Sequence, residues 1–162
     1  MKLLALFFCI LSLPLFPPSL EELRKTFPLA NDNVEITDKM HESLSTITTK
    51  DKAILIAYKG AFSTLKSKHS KQIKDKKTYF KDGVALIELA IERDANNIEI
   101  RCLRLGVQEN TPKFLKYKSD IPADKQYILD HFKSENSQEI KNFIKGYIQQ
   151  SKTFNEAEKQ LF

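Results

Sequence analysis

Apolar residues recur at helical spacing along most of this chain, and no alternation of apolar and polar residues runs long enough for a strand. Ser19-Leu-Glu-Glu22 reads as a capping box that opens a short helix, which Pro28 is expected to break after Phe27. Asn31-Asp32-Asn33 restarts the chain, and Val34, Thr37, Met40, Leu44 and Ile47 form the next apolar stripe. Thr49 is placed to cap a helix in which Ala53, Ile54, Ala57, Ala61 and Leu65 share a face broadened by Ile56, Tyr58 and Phe62. A face that wide predicts burial between neighbours. The following helix is expected from about Lys77 to Arg93, with Phe80, Val84, Ile87, Ala90 and Ile91 inward and Gly83 allowing a close helix approach.

Beyond the turn Asp94-Ala-Asn-Asn97, Asn96 or Asn97 caps a helix that reaches about Glu109, and Thr111-Pro112 redirects the chain. Pro122 starts a helix striped by Ile121, Tyr127, Ile128 and Phe132; Ser137 caps another striped by Ile140, Phe143, Ile144, Tyr147 and Ile148. Thr153-Phe-Asn-Glu156 reads as the capping box of a short last helix, with Phe154, Leu161 and Phe162 closing the core. The pattern predicts one all-α domain over residues 20–162, with six to eight helices in stacked antiparallel pairs.

The leading residues follow a different rule. Lys2 precedes an apolar run from Leu3 to Phe16, which ends at Pro17-Pro18-Ser19. One cation followed by such a run is the form of a secretory signal peptide, so residues 1–19 are expected to direct export and the remainder to work in the periplasm or cell envelope. A membrane-spanning helix needs roughly 20 apolar residues, and this run is shorter. No Ala-x-Ala site follows it, so retention of the segment as an anchor stays open beside cleavage. Cys102 is the only cysteine beyond the leader, which leaves the domain without an internal disulfide and dependent on its packed core.

Ala85-Leu-Ile-Glu-Leu-Ala-Ile-Glu-Arg-Asp-Ala-Asn-Asn97 resembles the second helix and exit turn of a tetratricopeptide repeat, with Ala95 where the repeat usually carries proline. The longer string from Asn97 to Tyr117, with Ile121 and Asp124-Lys125, is similar to one in small exported proteins of Bacteroidota bacteria that are described as tetratricopeptide-like. Tyr58-Lys-Gly-Ala61 and Lys68-His69 fit the same pattern, so the resemblance covers most of residues 50–132. It implies an exported all-helical protein built as a short tetratricopeptide-like array, and brings no activity, cofactor or catalytic residue with it.

Charge adds two candidate surfaces. The net charge is +5, and Lys66, Lys68, Lys71, Lys74, Lys76 and Lys77 stand against Asp75 alone over Lys66–Lys77. Without interleaved arginine or aromatic residues this run is not a nucleic-acid signature. It reads first as a solvated helix end and loop, and second as an anionic surface contact, to lipid, polysaccharide or nucleic acid. Arg101, Arg104 and Gln108 fall at i, i+3 and i+7 and so share one helix face, onto which Phe114 and Tyr117 are expected to fold back. That face is the candidate ligand site, Arg101, Arg104, Gln108 and Tyr117, able to take a carboxylate or phosphate through two guanidinium groups. The competing reading, and the favoured one, is an internal network in which these arginines pair with Glu99, Asp120 or Asp124.

Catalytic signals are thin. His41, His69 and His131 have no metal-ligand spacing, and neither a Gly-rich phosphate loop nor a G-x-S-x-G elbow is present. No catalytic residue, metal or cofactor is therefore assigned. The function expected is an envelope interaction module for a protein or peptide, with no nucleic-acid role. The alternatives are an envelope-acting enzyme or small-ligand-binding protein, and a membrane-surface protein that keeps its N-terminal segment and also uses Lys66–Lys77.

Overall fold

A computed structural model of the chain describes residues 17–162, so the expected signal segment lies, apart from Pro17-Pro18-Ser19, outside the described residues. Among the described residues there are eight α-helices, one 3-10 turn and no strand, as the all-α expectation requires. They are α1 (Leu20–Ala30), α2 (Val34–Ser43), α3 (Ala53–His69), α4 (Ile73–Arg93), α5 (Ile98–Asn110), α6 (Ile121–His131), α7 (Gln138–Gln150) and α8 (Glu156–Lys159), with the 3-10 turn at Lys113–Leu115.

Several boundaries differ from expectation, each for a local reason. Pro28 does not end α1, which runs on to Ala30. It sits in the last turn, where its missing N–H costs one hydrogen bond, and the Ala30 carbonyl is held by Thr37 Oγ1 at 2.8 Å. α2 stops at Ser43, although Leu44 and Ile47 stay buried in the turn that follows. Lys59 Nζ caps the carbonyls this turn frees, donating to Ser45 O and Ile47 O. Thr49 caps nothing: Lys52 holds the N-cap position of α3, and the Asp51 carboxylate accepts from the Thr48 N–H and hydroxyl instead. α4 begins at Ile73 rather than Lys77, so the lysine run spans the end of α3, a tight turn and the first turn of α4. At the C-terminus the capping box is Asn155 with Glu158, not Thr153 with Glu156. Leu161 is exposed there, while Phe162 packs edge-on against Phe132 and Phe154.

The caps at Asn97 and Ser137 form as expected, each side chain accepting backbone N–H groups in the first turn. Ser19 likewise accepts from the Glu22 N–H, and Pro18 is buried beside it.

The core has two parts, with α5 between them. Ile100, Leu103 and Val107 face a cluster formed with α1 to α4, whereas Ile98, Cys102 and Leu105 face one formed with α6, α7 and the C-terminal residues. α3 is buried between neighbours, and Phe27 of α1 sets its ring edge-on to Tyr58 and Phe62 at 6.0 and 5.3 Å. α3 and α4 form the tightest pair. Ser63 and Ser67 hydroxyls donate to the carbonyls of Tyr79 and Lys76 across the seam, and Gly60 faces Gly83. α1 also rests on α7, with Phe27 and Phe143 rings 6.5 Å apart.

Candidate functional site

The Arg101, Arg104 and Gln108 face of α5 looks onto α6 and the end of α4. Asp124, fully buried in the first turn of α6, accepts from both arginines. Arg104 Nε and Nη2 reach its two oxygens at 2.7 and 2.8 Å, and Arg101 Nη1 adds a third bond at 2.9 Å. Arg104 Nη1 also donates to Glu88 of α4 at 2.9 Å. Tyr117 closes the set by donating to the other Glu88 oxygen at 2.5 Å. Gln108 Nε2 donates to Asp120 at 3.1 Å.

Arg101 is fixed further. Its Nε donates to the Ala95 carbonyl at 2.7 Å, and its guanidinium lies 4.2 Å from the centre of the Tyr127 ring. The His131 ring stacks on the same tyrosine at 3.9 Å.

The four residues singled out from the sequence thus converge, and the arginine forks are filled from within the chain. Of the partners named beforehand, Asp124 pairs with both arginines and Asp120 with Gln108, while Glu99 points elsewhere. Phe114 departs from expectation. Instead of folding back onto the face it stands 79% exposed, because the 3-10 turn and Lys116 in the left-handed region (φ 53°) carry it outward. Gln108 Oε1 is the one buried side-chain oxygen or nitrogen without a hydrogen-bond partner among the described residues. Charge pairing and burial set the protonation states here. Burial alone would lower the Arg104 pKa, but the bonds to Asp124 and Glu88 more than offset it and hold the guanidinium firmly charged. Burial and the Glu88 bond push the Tyr117 phenol well up, so it stays a donor. The arrangement locks α4, α5, α6 and the 111–120 loop together.

Two features were not foreseen. Glu99 lies about 160° around α5 from Arg101 and is 1% exposed. It takes a two-pronged bond from Arg24 of α1, at 2.8 Å for both Nε and Nη2, and the Tyr58 hydroxyl at 2.7 Å. Glu109 anchors the end of α7: its carboxylate accepts from the Tyr147 and Ser151 hydroxyls and the Lys152 and Thr153 N–H groups. Sequence separations of 75 and about 40 residues hid both, since no local spacing links the partners.

Burial pulls the Glu109 pKa up, yet its four donors more than offset that and hold it below the ordinary 4.5. A depressed folded pKa means the stabilisation is complete above the unfolded value and lost as pH falls through the folded one. Glu109→Gln is therefore expected to lower stability at neutral pH and to flatten its decline as the pH falls below the ordinary carboxylate range. Urea unfolding across that range measures it, and an unchanged slope would show that Glu109 titrates normally.

Along α1 and α7, Glu21, Arg24, Lys25 and Pro28 face Glu139, Asn142, Phe143 and Gly146 across a surface groove of about 320 Å³. A side chain added at Gly146 would meet nothing within 4 Å. Arg24 bridges the groove wall to the core, bonding Glu139 at 3.0 Å as well as Glu99.

Cys102 is buried and its thiol pKa pushed well up by that burial, which suits a packing role. His69 meets the Ala30 carbonyl, and no group of three or more His, Cys, Asp and Glu side chains among the described residues could hold a metal ion. No protein-family model, curated protein or solved structure matches this chain.

Proposed function

We propose that this chain is an exported, tetratricopeptide-like interaction module of the cell envelope that holds a segment of a protein partner in the groove between α1 and α7. The observation that carries this reading is the lining of the groove. Pro28, Phe143 and Gly146 offer an apolar strip, rimmed by Glu21, Lys25 and Glu139 with both signs of charge. An open groove of this size suits a few side chains of an amphipathic peptide better than an enclosed small molecule. The α5 arginines support the same choice, because internal carboxylates already fill their forks. Export rests on Lys2 and the apolar run from Leu3 to Phe16.

Gly146 provides a clean test. A Cβ at Gly146 meets open space, so Gly146→Arg is expected to fold and to place its long side chain at the groove, while Gly146→Ala is expected to stabilise the helix by about 0.5–1 kcal/mol. With the full chain as bait for cross-linking to an envelope fraction, a partner captured by the parent should be lost with Gly146→Arg and kept with Gly146→Ala. Equal capture by Gly146→Arg would sink the groove reading.

A further inference from the structure

The two most exposed large apolar side chains among the described residues, Phe114 and Ile73, stand on lysine-rich segments. Phe114 is 79% exposed and Leu115 39%, at the tip of the 3-10 turn. The segment 110–119 carries Lys113, Lys116 and Lys118 and no acidic residue. α4 carries three lysines from Lys76 to Lys81, and the flanking Asp75 and Asp82 fall on the side of the helix opposite Ile73, Lys77 and Phe80. The Tyr117 ring sits edge-on to Phe80 at 6.2 Å, which sets the two segments side by side. Ile73, 71% exposed, lies two turns before Phe80 on the same side of α4, with Lys77 between them.

The display is built rather than frayed. Leu115 and Lys116 N–H groups bond to the Pro112 and Lys113 carbonyls, Thr111 Oγ1 bonds to Val107 O, and Lys118 Nζ ties the far side to Glu109 O at 2.7 Å. Tyr117, held by Glu88, pins the loop to the arginine network. A phenylalanine held outward by this many bonds is an exposed wedge on a rigid base.

We propose that this patch docks the protein onto an anionic membrane surface, with Phe114 and Leu115 entering the interface and the surrounding lysines meeting lipid phosphates. Charge complementarity selects the occupant. An apolar pocket on a protein would take Phe114 without a surround of lysines, whereas an anionic bilayer uses both the wedge and the cations. Lysine stems can lie along the interface with their ammonium groups at headgroup level. No helix among the described residues is long and apolar enough to cross a membrane, so attachment through this patch is peripheral. It uses elements other than the α1–α7 groove, and either can fail without the other.

The chain contains no tryptophan, so F114W gives a single indole reporter at the tip of the wedge. The full-length variant would be mixed with phosphatidylcholine vesicles and with vesicles of phosphatidylcholine and phosphatidylglycerol in equal parts. A blue shift and quenching by brominated lipid are expected with the anionic vesicles. Sedimentation should show the F114S/L115S double variant binding those vesicles at least about tenfold more weakly than the parent. K113E/K116E should lose binding similarly. Vesicle binding with an unshifted indole would assign attachment to another segment and overturn the proposal. So would equal binding by parent and F114S/L115S, no preference for the anionic vesicles, or no binding at all.

Discussion

Asp124→Ala is expected to cost about 3–5 kcal/mol of folding stability, a large share of what a domain of this size possesses. Asp124 is fully buried and is the shared acceptor of Arg101 and Arg104. Removing it leaves Arg104, 7% exposed, with only the partly exposed Glu88 to balance a largely buried charge. The cost is the uncompensated guanidinium, not merely the lost bonds. Asp124→Asn should fall between parent and alanine variant: its Oδ1 can still accept from Arg101 Nη1 and Arg104 Nη2, but an amide NH2 replaces the oxygen that accepts from Arg104 Nε, and the negative charge is gone. The same loss releases the base of the 111–120 loop, so amide exchange there should speed up more than in α7. Urea unfolding with hydrogen exchange reads both, and a loss under about 1 kcal/mol would mean the pair contributes no more than a surface ion pair.

Gly83→Val is expected to destabilise by about 3 kcal/mol or more, because it strikes backbone rather than a side chain that can turn aside. A Cβ on Gly83 would stand 2.6 Å from the Gly60 carbonyl oxygen and 2.8 Å from Thr64 Cγ2. A Cβ on Gly60 would meet the Gly83 oxygen at the same distance. Relief requires α3 and α4 to move apart, which also breaks the Ser63 and Ser67 bonds across the seam. Gly83→Ala should do less harm, since its better helix propensity returns about 1 kcal/mol. Thermal or urea melts of the two variants separate the effects. A valine tolerated within about 0.5 kcal/mol would mean that the helices do not approach this closely.

Much of the helical layout could be read in advance where a short-range rule decides it. Asn97 and Ser137 cap their helices because a side-chain oxygen reaches N–H groups two or three residues on, and Pro122 tolerates the first turn of α6 because its missing N–H is not needed there. Pro28 and Thr49 misled for different reasons: Thr37, seven residues on, secures the Ala30 carbonyl beyond Pro28, whereas α3 starts at Ala53 with Lys52 at its N-cap, too far along for Thr49 to cap it. α5 posed a different problem. Apolar residues on two opposite sides, with Arg104 and Glu99 between them, mark a helix buried all round, and a single-stripe pattern cannot express that.

The candidate site was legible to the same degree. The i, i+3, i+7 spacing correctly placed Arg101, Arg104 and Gln108 on one face, and Asp124 was among the carboxylates expected to meet them. Glu88 was not, because its reach depends on how α4 lies against α5. The exposed wedge was missed for a related reason. Phe114 and Tyr117 are three residues apart and would share a helix face, but the 3-10 turn ends at Leu115 and Lys116 reverses the chain. Tyr117 goes inward to Glu88 and Phe114 outward.

The α5 guanidiniums are filled by Asp124 and Glu88 and brace the loop that carries Phe114. A double-mutant cycle with R104M and D124L tests this role most directly, measured by urea unfolding of the full chain. Arg101 is the more exposed arginine and keeps its Tyr127 and Ala95 contacts when Asp124 is gone, so the double variant is not left with a second stranded charge. Each single change is expected to be strongly destabilising and the double change much less than their sum, with a coupling of about 2–3 kcal/mol. Additive losses, or an R104M variant as stable as the parent, would contradict the account.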